Sequence, residues 1–124
     1  MDLKILLVED DHVTSFLSTM ILKVLGFKDV DSVKNGQEAF TYIEKGCPDL
    51  IFLDLNMPVM DGFEFLNQKA QKGNCPKTHI VILTSSDRPK DKKEAYNYNI
   101  IDYVEKPLNS TKINRVFEKI NSQK

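Results

Sequence analysis

Charged and hydroxyl side chains stand at the ends of four apolar runs of strand length. They are Glu9-Asp10-Asp11 after residues 4–8, Asp54 at the end of 49–54, Thr84 after 79–83, and Lys106 after 100–105. A carboxylate at the end of a buried strand is costly to desolvate, so such a residue usually has a partner or a function. If the runs are parallel strands, their carboxyl ends converge on one edge of a sheet. The four sets of side chains would then share a site.

The acids in this set predict a metal site. Glu9, Asp10 and Asp54 would repel one another at close range unless a cation lay among them. Carboxylate oxygens without a nearby histidine or cysteine favour Mg²⁺ or a similar divalent ion. Mg²⁺ needs only one or two carboxylates, with waters and phosphate oxygens as its other ligands. We therefore expect Mg²⁺ as the cofactor.

The same constellation suits phosphoryl transfer. A metal bridging to phosphate oxygens reduces the repulsion between an anionic nucleophile and an anionic donor. Asp54 would act as the nucleophile and become an aspartyl phosphate. Lys106 would neutralise one phosphoryl oxygen and the Thr84 hydroxyl would hydrogen-bond another. Ser85 is small enough for its backbone N–H to contact the phosphoryl group.

Each of these residues also has a common structural role. An Asp after a strand is often a helix N-cap or turn residue, and an acidic pair can cap the next helix. Thr84 would serve as a turn hydroxyl, and a Lys-Pro pair occurs often by chance. The combination, with each residue at a strand end, favours the functional interpretation.

Five strand-like runs alternate with five segments of helical period, which predicts a parallel sheet of βαβ units. The first helical segment carries a single apolar stripe: Val13, Phe16, Leu17, Met20, Ile21, Val24 and Leu25. Gly26 and Gly46 end the first two helices, and Asn109 or Ser110 is the expected N-cap of the last. The most polar helix is expected near residues 90–98.

Length and composition indicate a single globular domain, residues 1–124. Residues 1–68 hold 5 basic and 12 acidic residues, whereas residues 69–124 hold 12 basic and 6 acidic ones. This balance argues against nucleic-acid binding. No run is long enough to span a membrane, and the N-terminus lacks a signal-peptide pattern. Cys47 and Cys75 are not in CxxC spacing, so we expect free thiols and a cytoplasmic protein.

The strand-end motifs resemble those of a known family. They are Ile5-Leu6-Leu7-Val8-Glu9-Asp10-Asp11, residues 54–62 in the pattern D-x-x-M-P-x-M-D-G, Thr84-Ser85, and Tyr103-Val104-Glu105-Lys106-Pro107. These residues resemble the receiver domains of two-component response regulators, of the CheY-like type, over essentially the whole chain. The resemblance implies a flavodoxin-like doubly wound (βα)5 fold, with a parallel sheet in the order 2-1-3-4-5.

The resemblance also implies a role for each matching residue. Asp54 corresponds to the phosphoacceptor. The metal ligands would be Glu9, Asp10, Asp54 and the backbone carbonyl of Asn56, with Asp10 a more direct ligand than Glu9. Asp11 would start a helix. Thr84 and Lys106 correspond to the switch hydroxyl and the phosphate-binding lysine, and Tyr103 to the aromatic switch residue. Lys106 and Pro107 would be joined by a cis peptide bond. Asn99 replaces a common glycine and should still adopt the left-handed conformation.

These roles imply a stand-alone receiver of a two-component or phosphorelay system. A sensor histidine kinase or a histidine phosphotransfer protein would supply the phosphoryl group, and the domain would catalyse only its own phosphotransfer and autodephosphorylation. A downstream protein would bind the face formed by residues 90–121. Neither nucleic acid nor membrane is expected as a partner, and we expect a monomer or a weak dimer.

Three other functions fit the sequence less well. A phosphatase of the haloacid-dehalogenase type would have a second Asp at position 56, where this chain has Asn56, and usually a cap insertion. A flavin or nucleotide carrier would need a phosphate-binding loop after the first strand, where Glu9-Asp10-Asp11 would repel phosphate. A degenerate receiver used only for docking would have lost key residues, all of which are present here.

Overall fold

A five-stranded parallel sheet lies at the centre of the fold, as the alternating pattern predicts. The computed structural model describes residues 3–122. The strands are β1 (Lys4–Val8), β2 (Asp29–Val33), β3 (Leu50–Leu53), β4 (His79–Thr84) and β5 (Asp102–Glu105). Their order is β2-β1-β3-β4-β5, and every neighbouring pair is parallel. The predicted flavodoxin-like order is confirmed.

Within residues 3–122, five α-helices connect and follow the strands. They are α1 (His12–Val24), α2 (Gly36–Lys45), α3 (Gly62–Lys72), α4 (Pro89–Ala95) and α5 (Ser110–Ser122), and a 3₁₀ turn (Tyr96–Tyr98) extends α4. No helix within residues 3–122 is long and apolar enough to cross a membrane.

The helices cover both faces of the sheet, and alternate strand residues pack into two cores. One core joins the sheet to α2, α3 and α4 through side chains such as Phe40 and Phe65. The other joins it to α1 and α5 through side chains such as Leu22 and Val116. Because both faces are buried, the three central strands β1, β3 and β4 are apolar at nearly every position rather than at every second one.

Short polar side chains set where the helices begin. Asp11 caps α1 by accepting from the Thr14 amide, Asn35 caps α2, and Asp61 caps α3. The Asn109 side chain accepts from the Lys112 amide at the start of α5. Asn109, one of the two predicted candidates, is therefore the N-cap of α5.

Left-handed residues mark helix ends on both sides of the sheet. Asn99 ends the 3₁₀ turn with φ 59° and ψ 44°, as expected for an Asn in place of Gly. Gly26, after α1, has φ 102°. The Lys106–Pro107 peptide bond is cis, as the resemblance implies.

The apolar stripe of α1 faces away from the core. Ser18 and Leu22, which lie outside the stripe, are the buried residues of α1, whereas six of the seven stripe residues are exposed: Val13, Phe16, Leu17, Met20, Val24 and Leu25. Phe16 is 64% exposed and Val24 is 82% exposed. The helix was predicted correctly, but its periodicity alone does not say which face packs on the sheet. An exposed apolar patch of this kind is typical of a contact surface.

The prediction that Cys47 and Cys75 are free thiols is wrong, because the two form a disulfide. Cys47 precedes β3 by three residues and Cys75 precedes β4 by four. Since β3 and β4 are neighbours, these two loops meet at the amino-terminal edge of the sheet, where the Cα atoms lie 5.5 Å apart. The spacing of the two cysteines in the sequence does not indicate that they pair, whereas the adjacency of β3 and β4 explains why they do.

The disulfide should stabilise the domain. The bridge joins residues 28 apart, and loop-closure entropy for a loop of that length corresponds to roughly 3–4 kcal/mol. We expect Cys47→Ser, or reduction of the wild type, to lower Tm in calorimetry by roughly 10–15 °C. Intact-mass measurement without reductant should give a mass about 2 Da below that of the reduced chain. Equal Tm with and without reductant would contradict this stabilising role.

Candidate functional site

Asp54 lies immediately after β3, at the carboxyl-terminal edge of the sheet. Its side chain is almost fully buried. The Asp54 amide donates to the Val8 carbonyl at 3.1 Å, which continues the β1–β3 pairing by one residue. This backbone bond brings Asp54 level with Glu9, the first residue after β1.

Three carboxylates meet at this edge. One oxygen from each of Glu9, Asp10 and Asp54 lies within 4.8 Å of the other two. Glu9 and Asp54 are buried, whereas Asp10 is exposed to solvent. Burial raises the pKa of Glu9, as does the negative charge of Asp54, and contacts with Lys106 and the Asp11 amide only partly offset this. The three acids therefore concentrate negative charge at a position that is partly shielded from water.

Lys106 supplies the positive charge that these acids require. Its Nζ lies 2.9 Å from Asp54 Oδ2 and also contacts Glu9 Oε1. Burial alone would lower the pKa of Lys106, but the bonds to Glu9 and Asp54 outweigh it and raise the pKa. The ammonium group therefore stays charged between the two buried carboxylates.

Thr84 and Lys106 are fixed side by side by the sheet. The Lys106 amide donates to the Thr84 carbonyl at 2.9 Å, just beyond the β4–β5 pairing. Thr84 is fully buried, and its Oγ1 accepts from the Ser86 amide at 3.3 Å. Ser85 is exposed at the end of β4. Tyr103 is buried and donates from its hydroxyl to the Ser86 carbonyl at 3.0 Å.

The loop between β3 and α3 passes close to Asp54 because residue 62 is glycine. A Cβ atom at Gly62 would lie 2.4 Å from the Asp54 carbonyl oxygen, so no larger residue fits without a shift of the backbone. The backbone N–H of Asn56 donates to Asp54 Oδ1 at 3.3 Å. An amide side chain at position 56 cannot serve as a general acid, which counts against a haloacid-dehalogenase type of phosphatase.

The residues at this edge fit a divalent cation. Glu9 Oε1 is buried and, among the described residues, has no hydrogen-bond partner of ordinary geometry, although it contacts the Lys106 ammonium. Asp10 is exposed, so it has room to bind an ion that keeps its waters. An all-oxygen donor set that leaves positions for water is what Mg²⁺ prefers.

Two buried acids were not anticipated from the sequence. Asp91 accepts from Ser86 and Arg88, and Asp102 accepts from Arg115 Nε and Lys119 Nζ, both at 2.9 Å. Burial would raise the pKa of Asp102, but the two cations lower it. The sequence contains a signal for the Asp102 contacts. This acid interrupts the apolar run 100–104, and Arg115 and Lys119 lie one helical turn apart in the last helix.

Comparison with known proteins agrees with this geometry. The response regulator receiver domain model matches residues 5–118. The chain belongs to this family. Receiver domains accept phosphoryl groups in two-component signalling, interact with histidine kinases or phosphotransfer proteins, and bind Mg²⁺ at an acidic pocket. The resemblance inferred from the strand-end motifs is therefore confirmed.

Relatives of different overall length contain this domain. Identity is 33% over 117 residues with two-component response regulator 24 of Arabidopsis thaliana, covering 94% of this chain and 82% of that protein. Hybrid signal transduction histidine kinases L and B of Dictyostelium discoideum are 29% and 36% identical over 94% and 89% of this chain. The chain spans only 7% and 6% of those two proteins.

Solved receiver structures share the fold. A two-component response regulator from Cytophaga hutchinsonii superposes with a TM-score of 0.87 at 28% identity, covering 96% of both chains. The chemotaxis protein CheY4 of Vibrio cholerae gives a TM-score of 0.83 at 28% identity, covering 95% of this chain and 98% of that one.

The acid cluster predicts a specific effect of one substitution on metal binding. Asp10→Asn should raise the Mg²⁺ concentration needed for half-saturation, followed by NMR titration, by at least about tenfold, since even outer-shell changes cost that much. Asp11→Asn is the matched control, because Asn caps helices as well as Asp does. Equal titration curves for Asp10→Asn and the wild type would remove Asp10 from the site.

Proposed function

We propose that Asp54 is the phosphoacceptor of this receiver and that its phosphorylation, dependent on Mg²⁺, changes a protein-binding surface. The observation that carries the proposal is the position of Asp54. It is buried at the end of β3, with Lys106 Nζ 2.9 Å from Oδ2 and with oxygens of Glu9 and Asp10 within 4.8 Å of its own.

The chemistry follows from these groups. An Asp54 carboxylate oxygen attacks the phosphorus of a phosphohistidine, the new O–P bond forms as the P–N bond breaks, and the electron pair leaves with the imidazole. Lys106 then pairs with a phosphoryl oxygen, and Thr84 donates its hydroxyl to another. Ser85 is exposed beside Thr84 and would offer its backbone N–H. Mg²⁺, held by Glu9, Asp10, Asp54 and the Asn56 carbonyl, would offset charge on the phosphoryl oxygens.

The return to the unphosphorylated state would use the same site. Water attacks the phosphorus of the acyl phosphate, and the O–P bond to Asp54 breaks to release inorganic phosphate. We propose this autodephosphorylation as the only hydrolysis that the domain catalyses. Asn56 is exposed beside Asp54 and Ser86 bonds to Thr84, so both residues are suited to influence its rate.

The exposed stripe of α1 is the proposed docking surface for the phosphodonor. α1 begins two residues after Asp10, and a groove of about 210 Å³ runs between this helix and the β5–α5 loop. Leu17 and Ile21 line one side of the groove, and Lys106 and Leu108 line the other. A helical kinase or phosphotransfer domain packed there would bring its histidine close to Asp54 and bury the stripe.

The α4–β5–α5 side, within residues 90–121, is the proposed output face. A groove of about 470 Å³ on this side is lined by two aromatic residues and by charged residues of both signs: Tyr96, Tyr103, Lys92, Asp102, Glu105, Lys112, Arg115 and Lys119. Binding of a downstream protein here, rather than nucleic acid or membrane, stays a prediction, as does a monomeric or weakly dimeric state. Cytoplasmic location also stays a prediction, and the Cys47–Cys75 disulfide is a feature more common in oxidising compartments.

Phosphorylation of Asp54 can be tested directly. With Mg²⁺ and acetyl phosphate, the wild type should gain about 80 Da in intact-mass measurement, as an adduct that is stable in acid and labile to base and hydroxylamine. Asp54→Asn should gain nothing. Asp49→Asn, at the other end of the same strand, is the matched control and should be labelled like the wild type. Equal labelling of Asp54→Asn would disprove the assignment.

Docking through α1 predicts a donor-dependent defect. Phe16→Ser should be phosphorylated normally by acetyl phosphate. Transfer from a purified kinase or phosphotransfer protein that labels the wild type should be about tenfold slower, because burial of one large apolar side chain contributes roughly 1.5–3 kcal/mol. Tyr96→Ser removes an exposed aromatic from the other face of the sheet and should transfer normally. A normal transfer rate for Phe16→Ser would place the donor elsewhere.

A further inference from the structure

Lys112, in the first turn of α5, contacts the loop that carries Lys106. Its Nζ donates to the Glu105 carbonyl at 2.7 Å and to the Pro107 carbonyl at 3.0 Å. These two carbonyls belong to the residues on either side of Lys106. One ammonium group therefore bridges the backbone around the lysine that pairs with the buried acids of the site.

The Glu105 carbonyl lies at the open edge of the sheet. β5 is the last strand of the sheet, and just beyond it the Lys106 amide donates to the Thr84 carbonyl of β4. Since successive backbone groups along a strand point to opposite sides, the preceding carbonyl, that of Glu105, points away from β4. An edge strand leaves such groups without a strand partner. The Lys112 ammonium takes the place of that partner.

The position of Lys112 is an unusual one for a cation. It is the third residue of α5, where the positive end of the helix dipole disfavours a positive charge. Within residues 3–122 it forms no ion pair, although Glu105, whose carbonyl it binds, has an exposed acidic side chain. Its charge is directed instead at two backbone carbonyls, which suggests a role in holding the loop.

The helix side of this bridge is fixed in place. The Lys112 amide donates to the Asn109 side chain at 2.9 Å, and the next residue, Ile113, is buried in the core. Pro107 has no N–H with which to bond the loop to its surroundings. The backbone beside Lys106 is therefore held on one side by the Lys106 amide bond to β4 and on the other by Lys112.

We propose that Lys112 is a positioning residue for Lys106. By binding both adjacent carbonyls, it keeps the Lys106 side chain directed at Asp54, and so at a phosphoryl group carried there. This inference rests on the proposed phosphoacceptor role of Asp54. It extends the site to a residue of α5 that bonds to the loop rather than to the acids.

The direction of the effect follows from the geometry of the ion pair. Lys106 Nζ lies 2.9 Å from Asp54 Oδ2, and a charge-assisted hydrogen bond of this kind weakens steeply as its distance and angle depart from their best values. A loop free to shift would allow the Lys106 ammonium to move away from Asp54. The ammonium would then bind a phosphoryl oxygen less tightly, because part of its orientation would be lost.

Two substitutions of Lys112 test this proposal. Lys112→Met keeps an unbranched side chain and removes the donor, whereas Lys112→Arg keeps donors for both carbonyls, with room in the groove of about 470 Å³ beside it. In the presence of Mg²⁺, Lys112→Met should bind beryllium fluoride about twofold to tenfold more weakly than the wild type in an NMR titration, corresponding to the loss of a restraining hydrogen bond. Lys112→Arg should bind it like the wild type.

Lys92→Met is the matched control for the loss of charge. Lys92 lines the same groove and, among the described residues, forms no ion pair. This variant should bind beryllium fluoride like the wild type. Unchanged binding by Lys112→Met would overturn the proposal, as would an equal weakening in Lys92→Met or in Lys112→Arg.

A measurement without any ligand separates this proposal from the assignment of Asp54. Exchange of the Lys106 amide hydrogen should be faster in Lys112→Met than in the wild type, whereas exchange in the central strand β1 should be unchanged. If the wild type does not bind beryllium fluoride, the phosphoacceptor role of Asp54 fails, and amide exchange alone decides whether Lys112 holds the loop. Unchanged exchange at Lys106, or an equal acceleration at Lys106 and in β1, would overturn the positioning role.

Discussion

The crowding of three carboxylates at one edge of the sheet is the constraint that organises this domain. The β1–β3 pairing brings Glu9 beside Asp54, and the β4–β5 pairing brings Thr84 beside Lys106. Two buried carboxylates close together are unfavourable unless a cation lies between them. The Lys106 ammonium has that position, because the order β1-β3-β4-β5 places the ends of these four strands next to one another.

This charge balance also separates the receiver function from its rivals. A nucleotide or flavin phosphate would meet Glu9, Asp10 and Asp54, and a single lysine cannot offset three acids and a phosphate. A divalent cation changes that balance, and the exposed Asp10 leaves room for one. At position 56 the chain offers an amide in place of a general acid. Transfer of a phosphoryl group to the protein itself is the chemistry that remains.

Much of the fold and the site followed from the sequence, because strand ends and helix caps are local features. The runs ending at Val8 and Asp54 and the cap at Asn109 needed only neighbouring residues. What failed depended on tertiary packing. The orientation of α1 is decided by Leu22, and the Cys47–Cys75 bridge by the adjacency of β3 and β4. The network around Asp91 joins residues of ordinary type, and the sequence does not indicate that Asp91 is buried.

The two edges of the sheet are held together in different ways, and this difference bears on signalling. At the amino-terminal edge a covalent bridge joins the loops before β3 and β4. At the carboxyl-terminal edge the loops are held by ion pairs and single hydrogen bonds, which a change of charge at Asp54 can rearrange. Lys106 lines the groove beside α1, while Lys112 of α5 donates to the carbonyls of Glu105 and Pro107 on either side of it. A phosphodonor on α1 and a partner on α5 would therefore contact the same short loop, so that in the proposed function the arrival of the phosphoryl group and its readout would both involve Lys106.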